Sequence, residues 1–253
     1  MGIMAKQSFD KAAKKKRIVL FGGSFNPPHE GHLHIAQKAH EALGCDGVWM
    51  MVAPRNPYKD PSIYADLSHR KKMSELMTAH LPWLKVTDIE QSYIADGQDF
   101  IETAETLKRL RTDFPNHEFV WMMGSDNVID FHQWGGWEDM IANHLIMVMN
   151  RTQSAAEIET VKNAKAVKAS KVKLTTHDDD VSFKDDRGFY LVQSPVVELS
   201  STLIRANLAQ KQPDIMGLNA DVAKFIADEG LYNYGVGAMP KRRGTQANPK
   251  PKP

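Results

Sequence analysis

Arg17-Ile18-Val19-Leu20-Phe21-Gly22-Gly23-Ser24-Phe25-Asn26-Pro27-Pro28-His29-Glu30-Gly31-His32 is the stretch on which the fold turns. Its first five residues form a short apolar run that stops at two glycines, the pattern of a buried strand ended by a tight turn. Paired glycines let a backbone turn sharply and approach a ligand closely. From Gly31 to Leu43 the spacing is helical: Leu33, Ala36, Ala39, His40 and Leu43 fall on one side, and Gly44 supplies a C-cap.

Outward from this unit the same alternation continues. Strands are expected at Val48 to Ala53, Leu84 to Ile89, Glu118 to Met123, His144 to Met149 and Phe189 to Val192. Helices are expected at Leu67 to His80, Phe100 to Arg111, Ser200 to Gln210 and Asn219 to Glu229, with an amphipathic helix over Ala155 to Lys168. Thr175 to Asp186 reads as an exposed acidic stretch. Alternating strands and helices predict an α/β fold, a doubly wound parallel sheet covered on both faces, ending in a helical portion. Ligands in such sheets bind beyond the carboxyl ends of the strands. Gly22, Ala53, Gly124 and Asn150 are all strand ends, so their loops should converge on one crevice.

The chain has 253 residues, enough for one large α/β domain or two small ones. Its hydrophobic and charged contents, 42% and 25%, are those of an ordinary globular protein. No apolar run approaches the roughly 18 residues needed to span a bilayer. The basic N-terminus lacks a following apolar segment, which argues against a secretory signal. Cys45 is the only cysteine, which excludes an intramolecular disulfide and a cysteine-cluster metal site and fits a reducing cytoplasm.

The net charge of +1 hides an asymmetry: eleven of the 32 basic residues lie in the two ends, with one of the 31 acidic residues. The body from Ile18 to Ala238 is therefore about nine charges negative, which argues against a broad nucleic-acid-binding face. An anionic ligand needs a locally positive pocket. The expected division is a basic tail over residues 1–16, one domain over 17–235 and a second basic tail over 236–253, both tails solvated.

His29 and His32 sit two residues apart around Gly31 at a helix start. There both rings can face one anion, and the helix dipole adds to the attraction. The segment is neither a P-loop, lacking Gly-Lys-Ser/Thr, nor a dinucleotide fingerprint, lacking Gly-x-Gly-x-x-Gly. Taken alone, two such histidines are as compatible with caps or surface residues, and no third ligand has metal-site spacing. Leu199-Ser200-Ser201-Thr202-Leu203-Ile204-Arg205 places three hydroxyls at another helix start with an arginine one turn on. Hydroxyls with free backbone N–H groups cradle oxyanions, and arginine binds phosphate through a fork of donors. A well-capped helix with a surface arginine accounts for this segment equally when it is read alone.

The two segments together resemble the nucleotidyltransferase superfamily with the HxGH signature. The resemblance rests on Gly22, Gly23, Phe25, Pro27, His29, Gly31 and His32, with Ser200, Ser201, Thr202 and Arg205, and spans roughly Arg17 to Tyr232. Intervening landmarks narrow the similarity to the bacterial nicotinate-nucleotide adenylyltransferases. The resemblance implies a Rossmann-like sheet and adenylyl transfer from ATP to nicotinate mononucleotide, by direct in-line attack of the substrate phosphate on the α-phosphorus. It implies catalytic roles for His29, His32 and Arg205. ATP would be held by Gly22, Gly23, Ser24, Phe25, Gly31, Lys59, Gly124, Asp126, Ser200, Ser201 and Thr202 as well. The second substrate would be held by Asn26, Lys59, Thr103, Thr106, Trp134 and Arg151. Mg²⁺ would accompany the ATP, with few direct protein ligands.

Three positions depart from the family pattern: Tyr58 replaces a histidine, Glu102 a tyrosine, and Asn150-Arg151-Thr152 lacks the proline and glycine that usually follow the arginine. Arg70 reads either as a phosphate contact or as half of a surface salt bridge, and Trp137 as core packing. A related adenylyltransferase using nicotinamide mononucleotide or phosphopantetheine, and a non-catalytic nucleotide- or RNA-binding module, are the competing classes. The phosphopantetheine enzymes are shorter, and the module would not need His29, His32 and Arg205 intact. The implied setting is cytoplasmic, without membrane or nucleic-acid partners, as monomer or homodimer.

Overall fold

The computed structural model describes residues 14–54, 63–150, 155–170, 175–176, 187–194, 198–212 and 214–234. The strands are β1 Lys16–Gly23, β2 Gly47–Val52, β3 Leu84–Thr87, β4 His117–Gly124, β5 Leu145–Asn150, β6 Thr175–Thr176 and β7 Gly188–Gln193. They form one sheet in the order β3-β2-β1-β4-β5-β7-β6, and every adjacent pair is parallel. The sequence order reverses between β1 and β4. That switch point is where an open α/β sheet leaves a crevice.

Side chains alternate across the sheet with the strand period of two. Val19, Met50, Met122, Met147 and Val192 enter one core; Leu20, Trp49, Trp121, Ile146 and Leu191 enter the other. The first face is covered by α1 Glu30–Leu43, α2 Leu67–Thr78, α9 Ser201–Ala209 and α10 Ala220–Asp228. The second is covered by α4 Thr103–Asp113, α6 Trp137–Asn143 and α7 Ala155–Asn163, with the short α3 Ile89–Tyr93, α5 Ser125–Asp130 and α8 Lys165–Ala169 between them. With both faces buried, the strands read as continuous apolar runs, as expected of a parallel sheet. The Rossmann-like, doubly wound architecture and its helical C-terminal portion are as the sequence predicts.

The differences are local. Ala155 to Lys168 is two helices, because Ala164 takes an extended backbone (φ −57°, ψ 139°). The helix expected from Phe100 begins at Thr103, although Ile101 still packs on the core. The third strand stops at Thr87, and Ile89, expected to end it, opens α3 instead. The stretch 177–186, residues 1–13 and residues 235–253 lie outside the described residues. Among the described residues no helix is long and apolar enough to cross a membrane.

Candidate active site

β1 delivers the first half of the site. A Cβ on Gly22 would lie 2.7 Å from Cη2 of Trp121, and one on Gly23 would lie 2.8 Å from Cζ of Phe25. Both positions are glycine because an aromatic ring already fills the side-chain space. Phe25 holds a left-handed backbone (φ 45°), rare for a non-glycine residue, and is buried with its ring edge-on to Phe21 and His32.

The chain then enters α1 with His29 at the N-cap in an extended conformation. Nδ1 of His32 accepts from the backbone N–H of His29 at 3.2 Å, and the two rings lie 3.7 Å apart. An acceptor at Nδ1 puts the proton of a neutral His32 ring on Nε2. Gly31 leaves room for this close approach: a Cβ there would come within 3.0 Å of the His29 ring.

α9 delivers the second half. Ser200 caps it, accepting from the Leu203 N–H at 3.1 Å. Ser201 Oγ donates to the Pro27 carbonyl at 2.9 Å, and Arg205 Nη1 donates to the Asn26 carbonyl at 2.7 Å. Arg205 Nη2 also reaches Thr202 Oγ1 at 3.3 Å. Two helix N-termini thus converge, bolted together through the loop between β1 and α1. Between them lies a cavity of about 330 Å³ lined by Ser24, His29, Gly31, His32, Ser200, Ser201, Thr202 and Arg205, with Ile35, Ile63, Tyr64, Ser194 and Leu199 completing the wall. Its polar lining is imidazoles, hydroxyls and a guanidinium, without a carboxylate, although the body of the chain is about nine charges negative. Such a lining suits an oxyanion.

Three polar residues brace this loop, Asn26 and Arg70 buried and Tyr232 half-buried; the sequence reading assigns the first two other roles and Tyr232 none. Asn26, expected to touch substrate, is committed inward: its Nδ2 donates to the Ile63 carbonyl at 2.9 Å, while its Oδ1 accepts from the Ala65 N–H at 3.0 Å and the Tyr232 hydroxyl at 2.7 Å. Tyr232 reaches in from the C-terminal side, and burial pushes its hydroxyl pKa up. Arg70 is neither phosphate contact nor surface salt bridge. It is 2% exposed and donates to the carbonyls of Ala65, Ser24, Ala53 and Pro54 at 2.7–2.9 Å. Burial pushes its pKa down. Its place on the buried stripe Arg70, Met73, Ser74, Met77, Thr78 was the signal that could have revealed this.

The remaining candidates stand on the other side of the switch point. Gly124 precedes α5, and the exposed Asp126 curls its carboxylate over it. Trp134 is half-buried and meets Phe131 edge-on at 5.4 Å. Trp137 packs on the second core, as read. Thr103 opens α4 half-buried. Thr106 is not a surface group: it is fully buried and its hydroxyl donates to Glu90 at 3.3 Å. Glu102 lies against Gly135, where a Cβ would come within 3.1 Å of its Cδ. A second cavity, about 580 Å³, is lined by residues 97–102 with Glu105. Three of its lining residues are acidic, which leaves anion chemistry to the smaller cavity. Tyr58, Lys59 and Arg151 fall outside the described residues.

Parallel sheet, switch point and paired helix N-termini define an α/β protein with an anion-binding crevice. The chain belongs to the cytidylyltransferase-like family, whose model matches residues 20–207. Within that family its relatives are nicotinate-nucleotide adenylyltransferases. A probable nicotinate-nucleotide adenylyltransferase of Rhizobium meliloti is 38% identical over 192 residues, covering 75% of this chain and 97% of the relative. One from Flavobacterium psychrophilum is 33% identical over 216 residues, covering 85% and 98%. The fold is shared with the nicotinic acid mononucleotide adenylyltransferase of Plasmodium falciparum solved with APC, at TM-score 0.62 and 17% identity over 87% of this chain and 98% of that one.

Proposed function

We propose that this protein transfers the adenylyl group of ATP to nicotinate mononucleotide, giving nicotinate adenine dinucleotide and pyrophosphate. The observation that carries the reading is the cavity closed by His29 and His32 on one side and by Ser201, Thr202 and Arg205 on the other. A triphosphate needs donors on two sides, and this is a carboxylate-free cavity with both. The substrate phosphate attacks the α-phosphorus in line, and pyrophosphate leaves. Little covalent chemistry falls to the protein, so its contribution is positioning and stabilisation of developing charge.

His32, with its proton on Nε2, and His29 donate toward the phosphate oxygens as charge builds. Arg205 and the α9 hydroxyls hold the leaving pyrophosphate. Lys59 adds a point charge to the phosphates. Asp126 accepts from ribose hydroxyls, Trp134 offers its face to the pyridine ring, and Thr103 and Arg151 line the second substrate. Mg²⁺ bound with the ATP would neutralise phosphate charge, and the carboxylate-free lining around His29, His32, Ser201, Thr202 and Arg205 would offer it few direct protein ligands. The catalytic domain spans residues 17–235 and acts in the cytoplasm as monomer or homodimer.

The test is pyrophosphate release from ATP with nicotinate mononucleotide, run beside nicotinamide mononucleotide. Release with the acid and a clear preference for it support the reading. No release with either substrate, or preference for the amide, overturns it.

A further inference from the structure

Ser125 stands between Gly124 and Asp126 at the start of α5 and has no role in the scheme above. It is buried, whereas Asp126 beside it is exposed. At the first helical position no carbonyl of the same helix lies one turn back, so a buried hydroxyl there must find its acceptor elsewhere. Ser125 Oγ donates to Oε1 of Glu157, 32 residues on, at 2.5 Å. Glu157 lies in the first turn of α7 and is half-buried. α7 is itself fixed to the sheet through Val161 and Ile158, which pack on the second core.

The direction of the Asp126 carboxylate depends on where this turn sits. Its Oδ1 curls over Gly124, where a Cβ would collide with it. Its hydrogen bond is a long one, 3.4 Å from Nδ2 of the neighbouring, exposed Asn127. Among the described residues no side chain of another element orients it. Gly124, the N-cap of α5, brings no side-chain cap. Ser125 is thus the side chain of the turn that is tied to a distant element, and a hydrogen bond to a carboxylate is among the stronger kinds.

We propose that Glu157 is a positioning residue of the nucleotide site: through Ser125 it holds the first turn of α5 so that the Asp126 carboxylate meets the ribose hydroxyls of ATP. The inference rests on the reading of Asp126 as the ribose contact and extends that reading to α7. It predicts that Glu157 governs how sharply a hydroxylated ribose is preferred, not the rate of transfer.

Binding of ATP and of 2′,3′-dideoxy-ATP to the full chain, by calorimetry, tests it, alongside kcat/KM for each with nicotinate mononucleotide. The wild type is expected to prefer ATP by about tenfold or more, and Asp126→Ala to erase the preference. Glu157→Ala is expected to cut the ratio by about threefold or more while kcat stays within about twofold, and Ser125→Ala to do the same. Glu157→Gln, whose amide oxygen still accepts from Ser125, is expected to keep the wild-type ratio. A purely structural role would weaken both nucleotides together. An unmoved ratio in folded Glu157→Ala and Ser125→Ala, with the preference lost in Asp126→Ala, overturns the proposal and spares the ribose reading. A preference that survives Asp126→Ala, or is missing from the wild type, overturns both. If Glu157→Ala does not fold, Ser125→Ala, which removes one oxygen, decides by the same ratio. Should the wild type bind ATP but release no pyrophosphate, the assigned reaction falls and the binding ratio still decides this inference.

Discussion

Replacing His32 by alanine removes one donor from the phosphate cavity while leaving the α9 half in place. The expected result is a fall in kcat of about 10²–10³-fold with a small change in KM for ATP, read by pyrophosphate release. A loss below tenfold would separate the histidine pair from the chemistry. Gly22→Ala acts differently, because its Cβ would meet the rigid Trp121 ring at 2.7 Å. Overpacking of this kind costs about 1–3 kcal/mol, measurable by urea unfolding. The residues legible from sequence were those whose type the phosphate chemistry demands: histidine, hydroxyl and arginine at helix starts. Asn26, Arg70 and Tyr232 were not, because their partners are mainly backbone carbonyls and N–H groups brought near by the tertiary fold. Thr106 failed for the opposite reason: its one-turn spacing from Thr103 is real, but only packing decides that the α4 face carrying it turns inward.

At the scale of elements, α3 and α4 are joined by a buried carboxyl. Burial pushes Glu90 up to about 7, opposed by the hydrogen bond from Thr106. A carboxyl raised in the folded state binds its proton more tightly there than in the unfolded chain. Stability is therefore lost as pH rises from about 4.5 to about 7, by on the order of 3 kcal/mol, and stays lower above that. Glu90→Gln should raise the unfolding midpoint at pH 8 and leave it nearly unchanged at pH 4. An equal gain at both values would point to packing instead. α2 contributes Arg70, whose guanidinium holds the β2 end, the β1 loop and residue 65 together. Arg70→Met leaves those carbonyls without their charged donor and is expected to cost at least about 3 kcal/mol in urea unfolding. Lysine should not restore it, since a point charge cannot replace a planar fork. The long helices are legible from periodicity and the strands from apolar runs, except β6, Thr175–Thr176, which lies in the stretch read as exposed and acidic. Helices α3, α5 and α6, of five to seven residues, are too short for a 3.6-residue pattern to register.

For the molecule as a whole, the sequence carried the class of sheet and the edge on which the site lies, while the strand order came from long-range pairing that no local pattern encodes. The described residues between 14 and 234 carry the seven strands of the sheet and both cores. A chain trimmed to residues 14–235 is therefore expected to keep the parent's thermal midpoint within a few degrees and its kcat within about twofold, by calorimetry and pyrophosphate release. A large loss of either would assign the trimmed segments to the working protein.

The bolts of the cavity join residues far apart along the chain: Ser201 to Pro27 across 174 positions, Arg205 to Asn26 across 179, and Tyr232 to Asn26 across 206. Competence is consequently the last property the polypeptide acquires during synthesis. A nascent chain halted before residue 200 already carries both histidines yet lacks the opposing helix, so it is expected to turn over no ATP. Proteolytic loss of that helix would silence the protein in the same way, which makes turnover a report that the chain is intact through α9.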